Sequence, residues 1–190
     1  LPEDDVWKPI KKRYMDPNNL IALVNDNDEI CGYAPKSEVH AGGLLHRAFS
    51  IQVIHPQKGF LLQKRASTKY HSPGLITNTC CSHLPVGFTM DEIVHVRLLE
   101  EMGFDCQLSY VDSFRYKAQF GNGLTENEID HVYVGIWDGI PVINPEEADE
   151  YLWIMPDEVK RLIADYPERF TVWFPMVFEK IRSRTIEPGF

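Results

Sequence analysis

The sequence predicts an α+β fold, a mixed β-sheet packed between α-helices, and two observations predict it. Apolar and β-branched runs of strand length, each bounded by turn residues, recur between residues 20 and 155. Helical signatures are few and late: one stretch follows the first strands and two close the chain.

In chain order, "LIALVN" (20–25) runs into the turn signal "NDND" and is followed at once by "EICGYA", so the pair reads as a hairpin. "HRAFSIQVI" (46–54) and "FLLQKRA" (60–66) flank "HPQKG", where Pro56 and Gly59 suit a short connection between antiparallel strands. An irregular "STKYHSPGLI" then leads to "TNTCCSHLP" (77–85). If that segment is extended, Cys80 and Cys81 point to opposite faces and cannot both serve one site. "TMDEIVHVRLLEEMG" reads as a helix, with Thr89 and Glu92 spaced as a capping box and Gly103 as its stop. Ile93, Val96, Leu99 and Met102 form its expected core face. "SFRYKAQF" (113–120) and "EIDHVYVGIW" (128–137) read as strands around the loop "GNGLTEN", and "EYLWIM" (150–155) as another. Pro156 suits the first turn of the helix "PDEVKRLIADY", and the last helix begins near "WFPMVFEKIRSR", with Trp173 upon it.

The chain of 190 residues fits a single domain spanning 1–190, with an N-terminal strand extension and a C-terminal helix. No apolar run approaches the ~18 residues of a membrane span, so no membrane association is expected. The formal charge of −9 argues against a nucleic-acid partner, which calls for a basic footprint. It leaves room for an anionic small molecule, which needs only a few cations gathered locally. "LPEDDVWKPIKKRYMDP" lacks the basic start and apolar centre of a signal peptide, and four cysteines, two adjacent, suit free thiols in a reducing compartment. A cytoplasmic protein is the resulting expectation. Oligomeric state is not fixed by these features, with a monomer favoured.

Candidate ligands for a divalent ion are His40, His46, His83, Glu126 and Glu128. In an extended segment the two glutamates fall on one face and can reach one ion, and imidazole with carboxylate suits Mn²⁺, Zn²⁺ or a Mg²⁺-like site better than a thiolate-selecting metal. Each alone is more often a solvated or hydrogen-bonding side chain; their combination carries the signal. Lys36, Arg65 and Lys69 are candidate cations, Arg able to grip a phosphate with two parallel hydrogen bonds. Glu101 suits either Mg²⁺ or an ion pair with Arg97 one helical turn earlier. Cys81 and His83 have the makings of a nucleophile and base, yet nothing around them matches a thiol protease. From the residues alone, the reading is a metal-assisted reaction on an anionic substrate.

The ordered strings "LLHRAFS", "QKRASTK", "PGLITNTCCSH", "FRYKAQ" and "ENEID" resemble the type I isopentenyl diphosphate isomerases of the Nudix superfamily. The resemblance implies the Nudix fold and interconversion of isopentenyl and dimethylallyl diphosphate, by protonation of an alkene and loss of a neighbouring proton. It further implies that Cys81 and Glu128 are catalytic on opposite faces of the substrate. Tyr116 and Trp173 would be the aromatic residues beside the carboxylate and the hydrocarbon. His40, His46, His83, Glu126 and Glu128 would hold one divalent ion, Mn²⁺ or Zn²⁺, and Glu101 a Mg²⁺ on the diphosphate. Lys36, Arg65, Lys69 and Arg97 would be the substrate-binding cations. Two departures stand out. The Nudix signature is eroded, with Phe88 at its first glutamate, Val96 at its arginine and Arg97 at the glutamate after it, which disfavours hydrolysis. The interval of six between His40 and His46 is short for the family. The alternatives are a Nudix diphosphate hydrolase and a non-catalytic diphosphate-binding relative.

Overall fold

The computed structural model describes residues 19–185; the N-terminal stretch read for a signal peptide and both ends of the expected 1–190 domain lie outside them. Within the described residues nine strands form one mixed sheet. β1 (Leu20–Val24) and β2 (Ile30–Pro35) are the expected antiparallel hairpin, and β3 (His46–His55) and β4 (Gly59–Arg65) the second. Gly59 has φ 85°, and a Cβ there would lie 2.4 Å from the carbonyl oxygen of Ile154, so only glycine lets β4 start at that point. β5 (Ile76–Thr77) pairs with β4, and β6 (Cys80–His83) with β3, both antiparallel.

β7 (Leu108–Gln119) and β8 (Thr125–Ile136) form a long hairpin, and β8 runs parallel to β3 at the centre of the sheet. Both start earlier than their sequence suggests, at 108 rather than 113 and at 125 rather than 128. Polar "TENE" has little strand propensity; pairing with β7 and β3 supplies what the residues lack. β9 (Ala148–Ile154) covers the other side of β4.

A first helix, α1 (Lys36–Gly42), was not legible: it has seven residues, follows Pro35 and carries no side-chain cap. α2 (Met90–Met102) has the expected capping box, in which Thr89 Oγ1 accepts from the Glu92 amide and Glu92 accepts from the Thr89 amide; it ends at Gly103 with φ 75°. Its core face is broader than expected: Val94 and Leu98 are buried as well, and Leu99 is only partly so. Such a cap is worth about 1 kcal/mol, whereas full burial of Ile93, Leu98 or Met102 is worth about 1.5–3 kcal/mol each. Packing therefore fixes α2 on the sheet, against Phe49, Ile51 and Val53 of β3.

The opposite face of the sheet is covered by Val159 of α3 (Pro156–Asp165) and by α4 (Phe174–Thr185), which bury Phe60, Leu62 and Val132. Trp173 stands just before α4 rather than on it. No helix among the described residues is long and apolar enough to cross a membrane.

Candidate active site

Strand register builds the site. His46 opens β3 beside Glu128 of β8, whose other neighbour is Tyr116 of β7; two residues on, Ala48 lies between His83 of β6 and Asp130 of β8. Glu126, Glu128 and Asp130 project from one face of β8, and a slip of one residue would turn all three away. α1 contributes Lys36 and His40, one helical turn apart.

The five candidate ligands converge. One donor atom from each of His40, His46, His83, Glu126 and Glu128 lies within 4.8 Å of the others, and all five side chains are buried. Glu128 Oε1 is 3.2 Å from His46 Nε2 and 3.0 Å from His83 Nε2, while Glu126 Oε2 is 3.1 Å from His40 Nε2 and 3.5 Å from His46 Nε2. The short interval after His40 thus still allows its ring to reach the cluster. His40 Nε2 and Glu126 Oε2 are buried without a hydrogen bond of good geometry. Lone pairs left aimed at a common centre are what an ion with ligand distances of about 2.0–2.2 Å needs. His46 Nδ1, 2.8 Å from the Leu44 carbonyl, is fixed as a donor, which directs Nε2 inward. The residues fit a divalent ion held by nitrogen and oxygen.

Without an ion, a proton on His46 sits among the carboxylates. Burial alone would lower His46, but hydrogen bonds to Glu126 and Glu128 together with the Glu128 charge raise it to about 10. Glu126 is driven the other way: against burial, four histidines hold its carboxyl far below the usual range. At neutral pH the metal-free His46 is therefore cationic, and an ion must displace its proton. Lowering the pH favours that proton, so affinity for Mn²⁺ is expected to fall about tenfold per pH unit below about 10. Titrating metal-stripped protein with Mn²⁺ at several pH values, with proton release followed by an indicator dye, checks this; an affinity independent of pH refutes it.

A cavity of about 650 Å³ adjoins the cluster and is lined by every candidate site residue except His40 and His46. Cys81 is partly exposed and faces it, with Sγ 3.9 Å from Arg65 Nη1. Burial pushes its thiol up to about 12, against the nearby Arg65 charge. Cys80 is fully buried among the residues under α2, as alternation in an extended segment requires. Tyr116 donates a hydrogen bond of 2.7 Å to Glu128 Oε2, leaving Oε1 toward the histidines. Trp173 is fixed by its indole N–H, 3.3 Å from Asn78 Oδ1, and its ring centre is 5.5 Å from the Arg65 guanidinium and 6.4 Å from the Tyr116 ring.

The four candidate cations all line the cavity. Lys36, Lys69 and Arg97 lie close together: burial, then the charges of Arg97 and Lys69, lower Lys36. Arg65 lies against Trp173 and Cys81, with Nη2 3.3 Å from the His71 carbonyl. Of the two roles open to it from sequence, Glu101 makes the ion pair with Arg97, at 2.5 Å; it also lines the cavity and accepts from Gln63 at 3.0 Å.

Four ionisable cavity residues escaped the sequence reading. Glu147 pairs with both Arg97 and Lys69. Tyr70 places its hydroxyl 3.4 Å from His40 Nδ1. Asp130, bonded by Ser50 at 2.8 Å, is pushed well above the usual carboxylate range by burial and then by the Glu128 charge. His71 Nε2 is 3.0 Å from Glu126 Oε1. For Asp130 the alternation Glu126, Glu128, Asp130 was an available signal; for the others only the fold brings the partners together.

The family model of the NUDIX domain matches residues 44–174. "Isopentenyl-diphosphate Delta-isomerase 2" of Photorhabdus laumondii is 45% identical over 170 residues, covering 90% of this chain and 96% of that protein. "Isopentenyl-diphosphate Delta-isomerase" of Pectobacterium atrosepticum is 42% identical, covering 87% and 92%. Among solved structures, DR0079 from Deinococcus radiodurans superposes with a TM-score of 0.70 at 17% identity, covering 85% of this chain and 98% of that one. The MutT protein from Methanosarcina mazei gives 0.62 at 16% identity, covering 75% and 96%. The structural likeness carries the fold and the sequence identity the lineage: this chain belongs to the isopentenyl-diphosphate Delta-isomerase family, built on a NUDIX domain.

Proposed function

We propose that the chain interconverts isopentenyl and dimethylallyl diphosphate, with Cys81 and the Glu128–Tyr116 pair as the two proton-transfer groups. The observation that carries this reading is that one cavity is lined by a neutral thiol, by a carboxylate that accepts a hydrogen bond from a phenol, and by an indole. The reaction adds a proton to the terminal alkene carbon and removes one from the carbon two bonds away, with no redox change. A thiol pushed up to about 12 is protonated at neutral pH, and Glu128 is held low by His46 and His83 against burial and the Glu126 charge. Each group thus has a movable proton or a place for one.

The tertiary carbocation between the two transfers would be captured by water, so the walls must exclude it. Trp173 and Tyr116, 4% and 7% exposed, supply those walls, and an aromatic face stabilises a cation by about 0.5–2 kcal/mol. Lys36, Arg65, Lys69 and Arg97 would bind the diphosphate, and Glu101 a Mg²⁺ upon it. His40, His46, His83, Glu126 and Glu128 would hold Mn²⁺ or Zn²⁺, which when bound supplies fixed positive charge beside Glu128. Hydrolysis is disfavoured because Val96 and Arg97 occupy helix positions where a NUDIX hydrolase needs its arginine and a metal-binding carboxylate.

Incubation with isopentenyl diphosphate, Mg²⁺ and Mn²⁺ in deuterated water tests the reading. Dimethylallyl diphosphate with deuterium in its new methyl group and an intact diphosphate is expected. Released phosphate would establish a hydrolase instead, and binding without turnover a non-catalytic relative.

A further inference from the structure

We infer that His71 is a positioning residue for the metal carboxylate Glu126. The inference rests on the metal site proposed above. Glu126 has two oxygens with different surroundings: Oε2 faces His40 and His46, while Oε1 has His71 Nε2 at 3.0 Å. A carboxylate only accepts, so Nε2 carries the hydrogen and Nδ1 faces the Ser72 hydroxyl, 3.4 Å away, as acceptor. One oxygen is thereby held by a donor and the other is left toward the ion, which makes Glu126 a one-oxygen ligand.

The ring cannot easily turn away from that task. It is 7% exposed, stacks on Phe120 with centroids 5.1 Å apart and planes 20° from parallel, and meets the Trp173 ring edge-on at 5.9 Å. Its backbone is fixed as well: the carbonyl accepts from Arg65 Nη2, and the following Ser72 has φ 49°, a left-handed conformation unusual for a residue other than glycine. His71 thus ties the metal carboxylate to the apolar wall of the cavity.

Three variants separate the Nε2 contact from the ring. His71→Phe keeps an aromatic ring and removes the donor; His71→Asn ends its amide near the Nδ1 position, short of Glu126; His71→Gln can place an N–H where Nε2 lies. Mn²⁺ affinity of the metal-stripped proteins, read from the electron paramagnetic resonance signal of free Mn²⁺, should fall about 10- to 100-fold in His71→Phe and His71→Asn and stay near the parent value in His71→Gln. Thermal unfolding of the metal-free forms identifies any variant that does not fold, and the remaining pair then decides. Parent-like affinity in a folded His71→Phe or His71→Asn protein overturns the inference, as does equal loss in a folded His71→Gln protein. If the parent binds no Mn²⁺, the metal site itself is refuted and the inference with it; binding by the parent with indifference to all three substitutions refutes the His71 role alone.

Discussion

Cys81→Ser is expected to lower turnover by about 10²- to 10⁴-fold, the usual consequence of losing a group that transfers a proton in the rate-limiting step. Serine keeps the shape and removes the acidity, so the variant isolates the chemistry from packing. Cys80→Ala is the matched control. Cys80 lies under α2 among Phe49, Ile51 and Leu61, away from the cavity lining, so its loss should appear as roughly 1 kcal/mol of stability with turnover retained. Steady-state kinetics beside denaturant unfolding of both variants gives the answer. A dead Cys80→Ala with an active Cys81→Ser, both folded, would reverse the assignment of the two thiols.

The adjacent cysteines illustrate what a sequence can convey. Strand alternation is a local rule, and it sufficed to send Cys80 and Cys81 to opposite faces once the segment was taken as extended. The capping box at Thr89 and Glu92 and the stop at Gly103 were legible for the same reason, since each involves residues within one turn of a helix. The metal cluster was not. His46 and Glu128 are 82 residues apart and meet only because β3 and β8 run parallel in one register, a pairing no local pattern specifies. Their types made all five residues candidates for one ion, and the family resemblance implied the same set, but neither gave the geometry.

His71 and Glu147 had neither kind of support. His71 sits in an irregular stretch between β4 and β5, and Glu147 in the turn before β9. Both acquire partners through contacts that appear only when separate segments close over the sheet. α1 failed for a different reason: seven residues give too little periodicity to distinguish a helix from the end of a hairpin, although Gly42 and Gly43 mark its stop. Buried polar residues on strands and loops are thus where sequence reasoning misses most, because their justification is a distant partner rather than a local preference.

Glu128→Gln is expected to abolish more activity than Glu126→Gln, although both glutamates belong to the same ion cluster. Either substitution replaces a buried carboxylate with a neutral amide of equal size, so each should weaken Mn²⁺ binding, by analogy with the loss of ligands at other buried sites. The two differ in their second oxygen. All four side chains line the cavity, but Glu126 Oε1 turns to His71, which is assigned no proton transfer, whereas Glu128 Oε2 accepts the hydroxyl of Tyr116, its proposed partner in proton transfer. Excess Mn²⁺ should therefore restore a large part of the turnover of Glu126→Gln by refilling the site. It should leave Glu128→Gln down by about 10²- to 10⁴-fold, because an amide neither takes up nor returns a proton in the range where a carboxylate does. Turnover measured against Mn²⁺ concentration, with metal content determined on the same samples, separates the cases. Recovery of Glu128→Gln at high Mn²⁺ to the level of Glu126→Gln would reduce Glu128 to a ligand and move the second proton transfer to another group.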